Sequence, residues 1–272
     1  MKNIFRRHIA LPTDHGSWVF LISPLIIGLC AGKSWNSATL FLILAALSAF
    51  LIRQPITTVV KIASGRRSNR DLPPARFWVI LYGFVLILAI LGLVLKGYTS
   101  LLLLTIPAAP IFAWHLYLVS RRSERRKAGI EILGTGVLSI SATAAYWVGT
   151  GKYDPTGWWL FILVWMQSAA SIVYTYLRLE QRELDAVPEL RERIKMGSRA
   201  LLYTAFNFLG VCLFSIFTHL HPLLPIPYGL QLIETIWGSL HPSVGWKPPR
   251  IGFRQLFISM AFTLTFILAW SF

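Results

Sequence analysis

Long apolar stretches separated by short polar segments run along the whole chain. A stretch of about twenty apolar residues has the length that crosses a bilayer as a helix. The eighth stretch is the least regular, because Pro225, Pro227 and Glu234 interrupt it. A chain in which this stretch does not cross the membrane, with eight spans in total, is therefore an alternative. The pattern predicts an all-α polytopic membrane protein with about nine transmembrane helices, near 16–33, 37–53, 77–95, 99–120, 130–149, 157–178, 200–218, 223–240 and 255–271.

The composition supports a membrane protein and excludes several other classes. Hydrophobic residues make up 55% of the 272 residues, and charged residues make up only 14%. The net charge of +15 does not indicate a nucleic-acid partner, because apolar stretches of membrane-spanning length separate the basic clusters. Cys30 and Cys212 each lie inside an apolar stretch, which indicates core filling rather than a disulfide framework or a thiolate metal site.

The lysines and arginines predict the orientation. Of the 26 basic residues, all but Lys33, Lys96 and Lys152 fall in alternate connections. Basic residues of short loops are held in the cytoplasm, so we expect a cytoplasmic N-terminus and a C-terminus on the opposite side. The chain then forms a single integral membrane domain over 1–272, with cytoplasmic loops near 53–76, 121–129, 178–199 and 241–254.

The first long loop opens with the stretch FLIRQPITTVVKIASGRR and contains no carboxylate. Pro55 can start a helix and Gly65 can end it. Such a helix could lie along the membrane interface as an anchor. Alternatively its basic side forms an anion pocket, because guanidinium groups match phosphate or carboxylate oxygens. The polar face of this helix would consist of Arg53, Thr57, Lys61 and Ser64.

The second long loop carries carboxylates. Glu180 and Glu183 lie three residues apart and share a helix face, with Asp185 close behind. Carboxylates at this spacing can hold Mg²⁺, which needs few protein ligands when a phosphate supplies the rest. The alternative is a solvated ion-pair ladder with Arg178 and Arg182 on an extended helix.

Other candidate residues lie near the remaining helix ends and inside two helices. Tyr117 directly precedes Arg121 in the third basic segment, and His15 stands at the start of the first span as an anchor or an outer ligand. Gln167 and Asn207 are scattered polar groups in helix interiors, which argues against a continuous path for a transported solute.

Three segments carry a resemblance to a known family. They are LPTDHGSWVFLISPLIIGL at 11–29, FLIRQP at 50–55 and KPPRIGFRQL at 247–256. With these segments the chain resembles the YwiC-like family of bacterial membrane proteins, in a form similar to its cyanobacterial members. The resemblance implies an integral protein of the bacterial inner (cytoplasmic) membrane or of the thylakoid membrane.

A more distant similarity is to the UbiA superfamily of intramembrane prenyltransferases, and it implies a UbiA-like helical bundle. Members of that superfamily bind Mg²⁺ and an isoprenoid diphosphate through aspartate-rich motifs after helices two and six. Here Arg53, Gln54 and Lys61 stand at the first motif, and only Glu180 and Glu183 approach the second. Cations at metal-ligand distances would repel magnesium, so direct recognition of an anionic head group is the chemistry that fits.

The distant UbiA resemblance therefore implies a UbiA-like protein that binds, and in one version transforms, a membrane lipid or isoprenoid of the prenyl or quinone type. The alternatives are a non-enzymatic transporter and an assembly or scaffold subunit whose protein partners are unknown. We expect Arg53 and Glu180 to face one cavity. The predicted catalytic residues are Tyr174, Glu180 and Glu183, and Glu180 and Glu183 are also the predicted ligands of a possible Mg²⁺. The predicted binding residues are Arg53, Gln54, Lys61, Arg66, Arg67, Tyr117, Arg121, Arg178 and His15.

Overall fold

The computed structural model describes residues 5–12, 15–123, 128–217 and 221–271, except the side chain of His15. Within these ranges the chain forms helices and turns and no strand, which confirms the all-α prediction. Helices are the expected form of apolar segments, because they pair backbone N–H and C=O groups within the segment. The described residues form α1 (Arg7–Ala10), α2 (His15–Gly32), α3 (Ser37–Ala63), α4 (Leu72–Leu95), α5 (Thr105–Ser120), α6 (Ala128–Thr150), α7 (Thr156–Gln181), α8 (Leu190–Phe217), α9 (Pro225–Leu240) and α10 (Pro248–Ser271).

Seven helices in the described ranges are long and apolar enough to cross a membrane. They are α3 to α8 and α10, with a 3₁₀ turn preceding α4 and another preceding α5. Helix α2 is apolar but shorter, and α9 has 16 residues. Sixteen residues reach about 24 Å, less than a hydrocarbon core of about 30 Å. The chain is thus an integral membrane protein, and the count of about nine spans is not confirmed.

Helix α3 is continuous through the stretch in which the sequence predicts a second helix. Pro55 lies buried in its interior, so the prediction of a helix start at Pro55, with an interfacial helix after it, is wrong. An interior proline removes one helix hydrogen bond. Packing against α4, where the Ile52 side chain lies 3.6 Å from the position of a Cβ on Gly83, helps to keep α3 unbroken.

The end of α3 forms where the sequence predicts it. The Gly65 N–H donates to the Ile62 carbonyl at 2.9 Å, and the Arg66 N–H donates to the Lys61 carbonyl at 2.7 Å. Gly65 has a φ of +68°, which glycine adopts without the strain of a Cβ. The connection to α4 therefore covers 64–71, and the connection between α7 and α8 covers 182–189, so both are shorter than predicted.

Met1–Trp158 form the first of two compact units. Its helices α2 and α6 cross closely through small residues. A Cβ on Gly28 would lie 2.2 Å from the Ala142 carbonyl oxygen, and a Cβ on Gly149 would lie 2.7 Å from the Cα of Gly32. Small residues of this kind let membrane helices approach at backbone distance.

The two ends of the first unit differ in charge. At one end the Arg66 guanidinium donates to the Val119 carbonyl, which joins the connection 64–71 to the end of α5. At the opposite end the Asn36 side-chain amide donates to the Val148 carbonyl at 3.3 Å. The arginines gather at the first of these ends, as the charge pattern of the sequence predicts.

Trp159–Phe272 form the second unit. The Gly245 N–H donates to the Arg182 carbonyl at 3.3 Å, and Arg193 Nη1 donates to the Leu240 carbonyl at 3.1 Å. These bonds bring the connections after α7 and after α9 to the same end of the unit. That end carries basic residues from α8 and α10 and from both connections, which are Arg182, Arg191, Arg193, Lys195, Lys247 and Arg250.

Candidate functional site

Most predicted binding residues of the first unit contact other residues of that unit. We call Arg6, Arg66, Arg67 and Asp71 the first-unit cluster. Asp71 accepts from Arg6 through Oδ1 and from Arg67 Nε through Oδ2, the latter at 2.6 Å. The Asp71 side chain is 12% exposed, and the two arginine side chains are 34% and 26% exposed. The cluster fixes the segment before α1 to the 3₁₀ turn that precedes α4.

Other predicted residues of this unit also join elements. Gln54 Nε2 donates to the His8 carbonyl at 3.1 Å, so α3 holds α1 through a predicted binding residue. Arg53 and Lys61 are half-buried on α3. The side chain of His15 lies outside the described residues.

Tyr117 and Arg121 form an exposed pair at the end of α5. The Arg121 guanidinium carbon lies 5.5 Å from the Tyr117 ring centroid, which is within the range of a cation–π contact. Both side chains are exposed, so this pair can meet solvent or lipid head groups.

Helix α7 separates the residues that the sequence groups together. Tyr174 and Arg178 are 2% and 1% exposed, whereas Glu180 and Glu183 lie exposed at the end of the helix and just beyond it. Within the described ranges, no three His, Cys, Asp or Glu side chains are grouped as metal ligands. Tyr174 and Arg178 therefore belong to a buried cluster, and the magnesium site at Glu180 and Glu183 stays a prediction.

The buried cluster is built around Glu234 of α9. Glu234 Oε1 lies 2.5 Å from Arg254 Nε, and Oε2 lies 2.7 Å from Arg254 Nη2. This is a two-point pairing of a carboxylate with a guanidinium. The Tyr174 hydroxyl donates to Glu234 Oε1 at 2.8 Å. One carboxylate thus fixes α7, α9 and α10 of the second unit.

Arg178 lies beside this pair and contacts oxygens that carry no charge. Its Nη1 lies 2.7 Å from the Gly238 carbonyl oxygen, 2.8 Å from the His241 carbonyl oxygen and 2.8 Å from Gln181 Oε1. Its Nη2 is buried and has no hydrogen-bond partner among the described residues. A buried guanidinium with an unfilled donor is costly unless another group completes its hydrogen bonds.

Aromatic rings enclose the same guanidinium. The guanidinium carbon of Arg178 lies 5.0 Å from the Trp246 ring centroid and 5.8 Å from that of Trp237. Arg250 lies 4.0 Å from the Trp246 ring, and Arg254 lies 3.8 Å from the Trp237 ring. Both tryptophans are half-buried. We call Tyr174, Arg178, Glu234, Trp237, Trp246 and Arg254 the arginine–tryptophan cluster.

A polar face extends from this cluster along α7. Gln231 Nε2 of α9 donates to the Gln167 carbonyl at 3.2 Å, and Gln231 Oε1 is buried without a partner in the described part of the chain. The expectation of scattered polar groups is therefore wrong for α7. Its buried polar side chains recur at intervals of four and three residues and lie on one face, at Gln167, Ser171, Tyr174, Arg178 and Gln181.

Sequence reasoning missed the roles of Glu234, Trp237, Trp246 and Arg254. A signal was present, because Glu234 is an isolated charged residue in the apolar helix α9, and such residues usually pair. The spacing of Glu234 and Trp237, one helical turn apart, also places both on one face of α9.

Comparison with known proteins identifies the family. A family model described as YwiC-like protein matches residues 11–146, half of the chain. The chain belongs to the YwiC-like family. The matched residues lie in the first unit, so the arginine–tryptophan cluster lies outside the match.

A curated YwiC-like relative has been found in Bacillus subtilis (strain 168). It bears the name Uncharacterized protein YwiC and is 25% identical over 154 residues, which are 56% of this chain and 59% of the relative. The match thus spans less than two thirds of that relative's length. No solved structure matches the chain. The similarity to the UbiA superfamily stays a prediction.

Proposed function

We propose that this YwiC-like membrane protein binds an isoprenoid or quinone-type lipid whose oxygen-rich head group reaches the arginine–tryptophan cluster. The supporting observation is the buried Arg178 guanidinium, whose Nη2 has no hydrogen-bond partner among the described residues. An acceptor oxygen of a head group would complete that donor. The apolar tail would lie against membrane-facing helix surfaces.

The charges of the cluster favour an acidic head group. It contains two guanidinium groups and one carboxylate, and Glu234 is paired with Arg254. The three acceptors around Arg178 Nη1 are carbonyl or amide oxygens. A phosphate-bearing isoprenoid would supply both the missing acceptor and the missing negative charge, whereas a quinone would supply only the acceptor.

Catalysis on this lipid is a second step of the proposal. Tyr174 donates to Glu234 and so positions the carboxylate rather than lying exposed to solvent. Glu180 and Glu183 lie at the exposed end of α7 and could bind Mg²⁺ beside a diphosphate. Binding is the activity we propose first, because its residues form a connected cluster.

We also propose that the basic connections of the chain face the cytoplasm, in a bacterial inner or thylakoid membrane. The distribution of lysine and arginine supports this orientation. It places the N-terminus in the cytoplasm and lets the lipid head group approach the cluster from the cytoplasmic leaflet.

Transport is the second candidate function, and the polar face of α7 is the observation that favours it. This face extends from Gln181 to Gln167, about 20 Å of helix. Deeper in α7, Leu160 and Leu163 are buried apolar residues. The polar face therefore extends along only part of α7, and transport is the weaker candidate.

Lipid mass spectrometry of the purified full chain tests the binding proposal. We expect the wild type to retain an acidic isoprenoid lipid and Arg178→Gln to retain at least about tenfold less, because a buried charge-assisted contact is lost. Arg191→Gln is the matched control, since it removes one exposed positive charge at the same end of the unit.

Two results would overturn the proposal. One is a wild type with no lipid enriched above the detergent background. The other is Arg178→Gln protein that retains the same lipid to the same extent. Trp246→Phe serves as a milder variant that keeps Arg178, and it should weaken retention less than Arg178→Gln because an aromatic wall remains.

A further inference from the structure

A second candidate site lies in the first unit, where α3 and α4 leave an apolar groove of about 230 Å³. Its walls are Ile56, Val59 and Val60 of α3 and Arg76, Val79 and Ile80 of α4. The residues on each helix are spaced by three and four positions, so each helix contributes one continuous face. Both helices are among those long and apolar enough to cross a membrane.

One charged residue, Arg76, lies at one end of the apolar groove. Arg76 lies one turn inside the start of α4, near the basic end of the unit, and Ile80 lies one turn deeper. On α3, Val60 lies near the helix end and Ile56 one turn deeper. Arg76 is the one charged residue in the lining that the structure describes. The lining surface itself is apolar, and Arg76 is an exposed basic residue at one end of it.

Exposed aliphatic side chains continue from the groove along α4. Ile80 is 70% exposed, Ile87 is 66% exposed and Leu91 is 50% exposed. A hydrocarbon chain that begins in the groove could therefore remain in contact with the protein as it runs toward the other end of α4. The nearby carboxylate of Asp71 is already bound by Arg6 and Arg67, so it does not supply the anion that matches Arg76.

We propose that this groove binds one anionic glycerophospholipid, with an acyl chain between α3 and α4 and the phosphate at Arg76. The exposed Arg76 matches the phosphate of such a lipid, and the apolar groove matches its acyl chain. A basic residue near the membrane surface favours an anionic lipid by a modest amount per contact. The site is independent of the arginine–tryptophan cluster and of the lipid proposed there.

Native mass spectrometry of the full chain, in micelles holding equal amounts of phosphatidylglycerol and phosphatidylcholine with the same acyl chains, tests this inference. We expect the wild type to retain one phosphatidylglycerol in about fivefold preference to phosphatidylcholine. Arg76→Gln should abolish the preference, and Val79→Phe, which fills the groove, should lower retention of both lipids. Arg70→Gln, an exposed charge at the same end outside the groove, should behave as the wild type.

Equal retention of the two lipids by the wild type would overturn the inference, and this comparison needs no variant. A preference that Arg70→Gln removes as completely as Arg76→Gln would also overturn it, because a diffuse surface charge would then explain the result. A dimer that displaces bound lipid and is lost in Val79→Phe would assign the groove to a second copy instead.

Discussion

The two arginine clusters lie at basic ends of their units, yet the structure uses their charges differently. In the first-unit cluster, Asp71 accepts from two arginines whose side chains are about one-third exposed or less. In the arginine–tryptophan cluster, Arg178 is 1% exposed and its Nη2 has no acceptor in the described part of the chain. In the first-unit cluster, the two arginines and the carboxylate pair with one another, and this pairing joins the segment before α1 to the 3₁₀ turn that precedes α4. In the second cluster, the described residues leave one donor of a buried guanidinium without an acceptor, and this distinguishes a candidate binding site from a structural contact.

The largest expected effect concerns the carboxylate of the arginine–tryptophan cluster. Glu234→Gln should lower the free energy of unfolding by about 3 kcal/mol, because it leaves the Arg254 guanidinium without its carboxylate. Thermal unfolding in detergent measures this change. The double variant Glu234→Gln with Arg254→Gln should recover part of the loss, and a double variant no more stable than the single one would contradict the pairing.

The next effect concerns the close contact that places Tyr174. A Cβ on Gly238 would lie 2.0 Å from the Tyr174 hydroxyl oxygen, so Gly238→Ala should cost about 2 kcal/mol and reduce lipid retention. Gly252→Ala is the matched control, because nothing lies within 4 Å of its Cβ position. Equal melting temperatures and lipid contents for the two variants would show that this contact does not shape the cluster.

A smaller effect is expected in the first-unit cluster. Asp71→Asn should lower the free energy of unfolding by about 1 kcal/mol, since solvent screens its partly exposed partners. Its retention of acidic isoprenoid lipid should match the wild type. Melting temperature and lipid mass spectrometry on the same sample measure both quantities, and a loss of lipid equal to that of Arg178→Gln would abolish the distinction between the clusters.

The smallest effect is expected at the other end of the first unit. Hydrogen bonds from the Thr156 side chain and backbone hold the pKa of Asp154 below its ordinary value of 3.8. The ionised Asp154 carboxylate therefore stabilises the folded protein. This stabilisation is complete above pH 3.8 and is lost as the pH falls through the lower folded-state pKa. Melting temperatures of wild type and Asp154→Asn, compared from neutral pH down to below 3.8, should converge at the acidic end, and a difference that grows toward acid would contradict this.

Much of the fold follows from local features of the sequence. The apolar stretches give the helices, and Gly65 ends α3 because glycine adopts the positive φ of that turn. The helix start predicted at Pro55 was wrong. Proline is favoured in a first helical turn, but it is also tolerated inside a helix that packs along its length. The number of true spans depends on the lengths of α2 and α9, which composition alone does not fix.

The candidate site was only partly predictable. Tyr174 and Arg178 are recognisable as aromatic and basic residues one turn apart near a helix end. Their partners Glu234 and Arg254 come from other helices, and only tertiary packing shows that one carboxylate joins three helices. The charge pattern that made Arg66 and Arg67 predicted binding residues did not predict their contacts with the Val119 carbonyl and with Asp71.

A density map of the full chain, purified with its native lipids and resolved well enough to show side chains, tests the central claim most directly. We predict non-protein density within about 3 Å of Arg178 Nη2, continuous with an elongated tail along the second unit. A map in which Nη2 contacts only protein atoms or a single water would contradict the proposed head-group site.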